Sequence, residues 1–156
     1  MNWISIIVTV MISNSMKTIL FIDDNKAILE NLTEFMEIKG YTVLGADNGK
    51  RGFELAKEFV PDLIICDVLM HEMTGYDVLR SILEDGTTNK IPFIFSTSMS
   101  EKVDRAESLE LGADDYITKP YELETLLKLV QRWIATGKLP FLPLIPANSI
   151  IRANPR

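Results

Sequence analysis

Three aspartates stand at the ends of predicted strands, where they could share a cation. Asp23 and Asp24 follow residues 17–22, and Asp67 follows the short apolar run 63–66. Such a run is typical of a strand buried in a parallel sheet, whose carboxyl end borders the ligand crevice. Two carboxylates about 4 Å apart repel by about 4 kcal/mol at an effective dielectric of about 20, so their convergence requires a cation. All-oxygen ligands favour Mg²⁺, or Mn²⁺, over zinc.

A hydroxyl and an ammonium group follow two later runs of the same kind. Residues 95–98 end in three hydroxyl side chains with Thr97 at their centre, and residues 116–120 contain Lys119. A carboxylate nucleophile, a divalent cation, a hydroxyl and an ammonium are the groups needed to accept a phosphoryl group, with Asp67 attacking phosphorus. The competing interpretation is that the first pair of aspartates only caps the helix that follows.

The elements that must position these groups alternate regularly along the chain. Apolar runs and turn residues predict strands at 17–22, 41–46, 63–66, 91–96 and 115–118, and helices at about 25–40, 50–60, 75–84, 101–111 and 122–135. Such alternation indicates a parallel sheet with right-handed crossovers. We therefore predict a single α/β domain over residues 16–136, a doubly wound five-stranded parallel sheet with helices on both faces.

The two ends of the chain differ from this pattern. Residues 1–15 are mostly apolar, but ten helical residues span about 15 Å, half of a bilayer core, and no basic residue precedes them. We expect an extension without function, with Met16 as the natural start, or an added strand or oligomer contact. Residues 137–156 are rich in proline, which favours extended chain over helix or central strand.

Composition limits the class of protein. The chain has 156 residues, 47% hydrophobic and 24% charged, with a formal net charge of −6. This charge argues against non-specific binding to nucleic acid or to anionic membranes. The single cysteine, Cys66, excludes an intramolecular disulfide and is predicted to be a core residue in a reducing compartment. We expect a cytoplasmic protein.

The motifs around these residues resemble those of a known family. Residues 19–25 read ILFIDDN, residues 62–70 read DLIICDVLM with MTGYD soon after, residues 91–98 read IPFIFSTS, and residues 112–120 read GADDYITKP. In combination and spacing they are similar to the receiver domain of bacterial two-component response regulators, of the single-domain, chemotaxis-regulator kind. The resemblance covers residues 17 to about 136 and implies a flavodoxin-like fold.

The resemblance implies roles for the candidate residues. Asp67 would be the phosphoacceptor. Asp24 would bind Mg²⁺ directly, Asp23 would bind it through water, and the backbone carbonyl of Leu69 would complete the metal site. Lys119 would pair with the phosphoryl group. The expected donor is a sensor histidine kinase or a histidine phosphotransfer protein, and the expected target is another protein.

Further roles concern the response to phosphorylation and its duration. By resemblance, Thr97 belongs to the catalytic set and forms a coupled switch pair with Tyr116. Leu69 and Met99 occupy positions that border the path of the hydrolytic water. Both are apolar and cannot orient that water, so we expect a long-lived phosphorylated form, although the hydroxyl of Ser98 would act in the opposite direction.

The sequence departs from the family pattern in several places. His71, the only histidine, stands where a proline usually follows the methionine, and we expect it to be a solvated loop residue. Serines flank Thr97 and add polar atoms near the site. Asp114 and Asp115 form a second carboxylate pair, which we expect to be solvated.

Other functions remain as alternatives. A phosphatase of the haloacid-dehalogenase kind also uses an aspartate nucleophile with Mg²⁺, but its general acid would fall at Leu69, which cannot donate a proton. Flavin binding would require a phosphate-binding loop that the sequence lacks. A receiver-like interaction module that is never phosphorylated is the main alternative. We expect no turnover of a substrate, no direct contact with nucleic acid or membrane, and a possible homodimer.

Overall fold

The computed structural model describes residues 15–98 and 105–138, so the predicted terminal segments lie almost entirely outside the described residues. The described part contains strands β1 (Thr18–Ile22), β2 (Thr42–Ala46), β3 (Leu63–Asp67), β4 (Phe93–Ser98) and β5 (Asp115–Lys119). Its helices are α1 (Lys26–Ile38), α2 (Gly49–Phe59), α3 (Gly75–Glu84), α4 (Arg105–Glu110) and α5 (Leu123–Thr136).

The strands form one parallel sheet in the order β2-β1-β3-β4-β5. The strand order reverses direction beside β1, which places the carboxyl ends of β1 and β3 next to each other at the switch point. In the register, Ile22 pairs with Cys66, so Asp23 and Asp67 are the next residues along both strands. The predicted doubly wound α/β architecture is confirmed.

Alternate residues of each strand face two separate hydrophobic cores. In β1, Leu20 and Ile22 belong to the core that also contains residues of α2 and α3. Ile19 and Phe21 belong to the core that contains residues of α1 and α5. All four of these strand side chains are at most 1% exposed. A strand with both faces covered needs a continuous apolar run, which explains the runs that identified β1 and β3.

Helix caps fix the loops that border the site. The Asn25 side chain accepts hydrogen bonds from the backbone N–H groups of Ala27 and Ile28, so α1 begins directly after Asp24. Thr74 and Asp77 form a capping box at the start of α3. These bonds satisfy donors that a helix N-terminus leaves free, and they define where each helix begins.

Two predictions along the chain need correction. Strand β4 runs two residues beyond the predicted end, because Thr97 and Ser98 continue to pair with β5. The predicted solvation of Asp114 and Asp115 is wrong. Asp114 accepts a hydrogen bond from the Phe93 N–H at 2.8 Å, and Asp115 contacts side chains of α5. The start of the predicted fourth helix lies outside the described residues.

Within residues 15–98 and 105–138, none of the helices has both the length and the apolar character that crossing a membrane would require.

Candidate functional site

Three carboxylates meet at the carboxyl edge of the sheet. One oxygen from each of Asp23, Asp24 and Asp67 lies within 4.8 Å of the others. Asp67 is the last residue of β3 and pairs with Ser96 of β4. Asp23 directly follows β1, and its N–H donates to the Ala46 carbonyl at 3.0 Å. The predicted convergence is confirmed, and it follows from the positions at which neighbouring strands end.

This cluster fits a hard divalent cation. Asp23 is 4% exposed and Asp67 is 8% exposed, whereas Asp24 is more accessible at the rim. Carboxylate oxygens are the ligands that Mg²⁺ and Mn²⁺ prefer, and one accessible carboxylate leaves room for the waters that Mg²⁺ retains. The donor set and its spacing therefore suit Mg²⁺, with Asp23, Asp24 and Asp67 as the side chains that could hold it.

Lys119 supplies a positive charge next to two of these carboxylates, those of Asp23 and Asp67. It is the last residue of β5, and its Nζ lies 2.7 Å from an oxygen of Asp23 and 3.6 Å from an oxygen of Asp67. Burial on its own would lower the pKa of Lys119, but the hydrogen bond to Asp23 and the charges of both aspartates outweigh it, so the pKa is raised. The ammonium group is therefore fully protonated at neutral pH.

Thr97 lies on β4, the strand beside Asp67, and Tyr116 lies on β5, the next strand outward. Thr97 is buried in β4, one residue beyond the partner of Asp67, and its hydroxyl donates to the Ser98 carbonyl at 3.3 Å. Tyr116 in β5 pairs with Phe95 and is a partly buried neighbour of the core that contains α2 and α3 residues. The structure thus places the predicted switch residues on adjacent strands.

The loop after Asp67 covers one side of the site. The Leu69 side chain is 60% exposed, whereas Met70 beside it is buried. The Gly75 N–H donates to the Val68 carbonyl at 2.8 Å, which draws the start of α3 against the loop. The Leu69 carbonyl remains a predicted ligand. Met99, the other residue predicted to affect phosphate lifetime, lies outside the described residues.

Sequence reasoning missed two neighbours of the site. Tyr121, Ser96 and Asp23 are among the residues that line a small cavity of about 10 Å³, and burial raises the pKa of the Tyr121 phenol. His71 is exposed, as predicted, but its Nδ1 lies 3.0 Å from Oδ2 of Asp24. No spacing rule places the Tyr121 or the His71 side chain at the site, because the position of each depends on the path of a loop.

Cys66 behaves as the predicted core residue. Its thiol is fully buried and donates to the Asp67 carbonyl at 3.2 Å. Burial, reinforced by the charge of Asp67, raises the pKa of the thiol well above its usual value. Cys66 is therefore an unreactive thiol that fills space beside the acidic cluster.

Comparison with known proteins places this geometry in a family. Residues 19–131 match the response regulator receiver domain. The chain is 36% identical over 120 residues to protein PilH of Pseudomonas aeruginosa, a match that covers 77% of this chain and 99% of PilH. It is 37% identical over 124 residues to the phosphate regulon transcriptional regulatory protein PhoB of the same organism, covering 78% of this chain but 54% of PhoB.

Solved structures agree with the sequence match. The chemotaxis protein CheY4 of Vibrio cholerae superimposes with a TM-score of 0.71 at 29% identity, covering 76% of this chain and 98% of CheY4. The signal receiver domain of a histidine kinase from Syntrophus aciditrophicus superimposes with a TM-score of 0.70 at 35% identity, covering 83% of this chain and 98% of that domain. By sequence and by fold, the chain belongs to the response regulator receiver family of two-component signalling systems.

Proposed function

We propose that Asp67 is the phosphoacceptor of a protein switch, and that it takes its phosphoryl group from the phosphohistidine of a kinase or phosphotransfer protein. The observation that carries the proposal is the convergence of Asp23, Asp24 and Asp67 with the Lys119 ammonium at the carboxyl edge of the sheet. Family membership supports it, since receivers act in two-component signalling with histidine kinases and downstream targets.

The transfer proceeds by attack of one Asp67 oxygen on phosphorus. The phosphorus–nitrogen bond of the donor breaks, its electron pair stays on the donor imidazole, and the imidazole takes up a proton. Lys119 lies 3.6 Å from an Asp67 oxygen and neutralises charge on the transferred oxygens. When bound by Asp23, Asp24, Asp67 and the Leu69 carbonyl, Mg²⁺ or Mn²⁺ supplies further charge neutralisation.

The signal then passes through Thr97 and Tyr116. The Thr97 hydroxyl would turn toward the new phosphoryl oxygens, and Tyr116 would occupy the space that it leaves. The affected surface consists of α4, β5 and α5, where Asp115 of β5 contacts Arg132 and Trp133 of α5. Such a rearrangement biases a two-state equilibrium between surfaces with different partner affinity.

The biochemical setting follows from the same proposal. Receiver domains are in general signalling modules, and this chain would act only on its own phosphorylation state. Residues 16–136 would form the switch, with residues 1–15 as an extension and residues 137–156 as a tail. A cytoplasmic location agrees with the single free cysteine, Cys66. The output would be contact with a downstream protein or relay of the phosphoryl group, and homodimer formation is one form that contact could take.

Phosphorylation by a small donor tests the proposal. Incubation with acetyl phosphate should add one phosphoryl group by intact mass when Mg²⁺ is present and none in excess chelator. The Asp67→Asn variant is the matched control and should add none. If the wild-type chain gains no mass under any of these conditions, the phosphorylation-independent interaction module becomes the better account.

A further inference from the structure

We propose that His71 is a ligand at the cation site and gives it a stronger preference for transition-metal dications over Mg²⁺ than the carboxylates alone would provide. The proposal rests on the proposed function, because it concerns the same cluster of carboxylates. It assigns His71 a role in choosing the ion, while Asp67 remains the acceptor.

The loop brings the imidazole to the rim of the cluster. His71 Nδ1 lies 3.0 Å from Oδ2 of Asp24, the most accessible of the three carboxylates. The preceding residue, Met70, is buried and anchors the loop, and the His71 carbonyl accepts a hydrogen bond from the Met73 N–H at 2.8 Å. The backbone at His71 is therefore held in place, while its side chain is 96% exposed and reaches the rim of the cluster through its contact with Asp24.

The separation of these two atoms suits a shared ion. Adjacent ligands of an octahedral cation, each about 2.1 Å from it, lie about 3.0 Å apart. The observed separation of 3.0 Å between His71 Nδ1 and Asp24 Oδ2 equals this value. An ion could therefore replace the hydrogen bond at the same N···O separation, with the imidazole turning so that an unprotonated Nδ1 points at the ion.

The carboxylate oxygen and the imidazole nitrogen differ in which ions they bind most tightly. Mg²⁺ binds carboxylate and water oxygens and gains little from an imidazole, whereas affinity for nitrogen ligands rises from Mn²⁺ through Fe²⁺ to Co²⁺ and Ni²⁺. A set of three carboxylates and one imidazole should therefore raise the affinity for Co²⁺ relative to Mg²⁺. If His71 only donates a hydrogen bond to Asp24, its removal should not change this ratio.

Calorimetric titration of the untagged full-length chain measures this ratio. The His71→Ala variant should bind Co²⁺ about tenfold or more weakly than the wild-type chain and should bind Mg²⁺ with affinity within about twofold of it. The matched control is Glu72→Gln, which changes the next loop residue and removes a charge without removing a nitrogen ligand. It should leave the ratio of Co²⁺ to Mg²⁺ affinity unchanged.

Because His71 is the only histidine of the chain, its ring also provides a direct spectroscopic signal. Co²⁺ bonded to the imidazole should give the ring protons large through-bond contact shifts, far outside the diamagnetic range. An ion held by the carboxylates alone should give them only the smaller through-space pseudocontact shifts. The Asp24→Asn variant should weaken the shifted signals, because it removes the paired ligand.

The outcomes separate this inference from the proposed function. Equal Co²⁺ to Mg²⁺ ratios in wild type and His71→Ala, or His71 ring resonances without contact shifts, would overturn the His71 assignment even if Asp67 is phosphorylated. A lower ratio in His71→Ala together with contact-shifted ring signals supports the assignment, even if acetyl phosphate fails to modify Asp67.

Discussion

Lys119 offsets part of the negative charge of the acidic cluster, so its removal should lower the stability of the folded state. Its Nζ lies within 3.6 Å of both Asp23 and Asp67, and its side chain is 20% exposed. Because its pKa is raised in the folded state, its contribution to stability is complete below the unfolded pKa of about 10.4 and is lost as pH rises through the folded pKa.

The Lys119→Met variant should therefore be less stable at neutral pH by about 1–3 kcal/mol, because two buried carboxylates lose their partner. Its stability should also fall less steeply than that of the wild-type chain at alkaline pH. Urea unfolding across a pH series measures both effects, with Lys128→Met, an exposed lysine of α5, as the control. Equal alkaline slopes for wild type and Lys119→Met would contradict this account of the charge balance.

Leu69 is predicted to slow loss of the phosphoryl group. Its side chain is 60% exposed beside Asp67 and cannot orient an attacking water by hydrogen bonding. Replacing Leu69 by Asn together with Met99 by Glu should speed dephosphorylation several-fold, which corresponds to about 1 kcal/mol in the barrier. The decay of phosphorylated protein, followed by intact mass, measures this rate. A double variant that decays no faster than the parent would show that these side chains do not set the lifetime.

At the scale of single residues, the sequence predicted the functional side chains at the ends of strands. It missed the contacts that loop residues make. The positions of Asp67 and Lys119 follow from strand ends, which an apolar run marks clearly. The pairing of His71 with Asp24 joins residues 47 apart through the shape of one loop. The error at Asp114 has the same origin, because its partner is a backbone N–H of a neighbouring strand.

At the scale of elements, the start of α3 is pressed against the end of β3. A side chain at Gly75 would place its Cβ 2.3 Å from the Asp67 carbonyl oxygen and 2.9 Å from the Cα of Val68. Both are backbone atoms that cannot move aside by rotation. Glycine is therefore required here because two backbone segments approach closely.

The Gly75→Ala variant should lose about 1–3 kcal/mol of stability despite the better helix propensity of alanine, because the loop after Asp67 must shift. It should also accept phosphate more slowly than the wild-type chain. Gly45→Ala is the control, since a Cβ at Gly45 meets nothing within 4 Å. Thermal unfolding and phosphorylation rates measure the two effects, and equal behaviour of the two variants would contradict the close-packing argument.

Element boundaries were predictable where hydrophobicity changes sharply. The apolar run that predicted β3 ends one residue before the strand itself does. Strand β4 was placed too early, because its last residues carry hydroxyl groups and their pairing with β5 is a tertiary effect. A propensity argument cannot include a partner strand that lies 17 or more residues away in the sequence, as β5 does.

At the scale of the whole molecule, a hydrophobic core lies on each face of the sheet. The candidate site lies at the edge of the sheet formed by the carboxyl ends of the strands. Phosphorylation should change the surface formed by α4, β5 and α5 through Thr97 and Tyr116. Amide resonance shifts on phosphorylation should therefore concentrate between about Thr97 and Trp133. Shifts confined to the loop around Asp67 would mean that this coupling is absent, and a Thr97→Ala variant should show that confined pattern.

Among the three clustered aspartates, Asp67 alone should carry the phosphoryl group. Borohydride reduces an acyl phosphate to an alcohol and so converts a phosphorylated aspartate to homoserine. After treatment with acetyl phosphate and Mg²⁺ and then borohydride, peptide mass mapping should find homoserine at position 67 and unmodified aspartate at Asp23 and Asp24. Homoserine at either of those positions, or an unreduced Asp67 in a chain that has gained a phosphoryl group, would contradict the account.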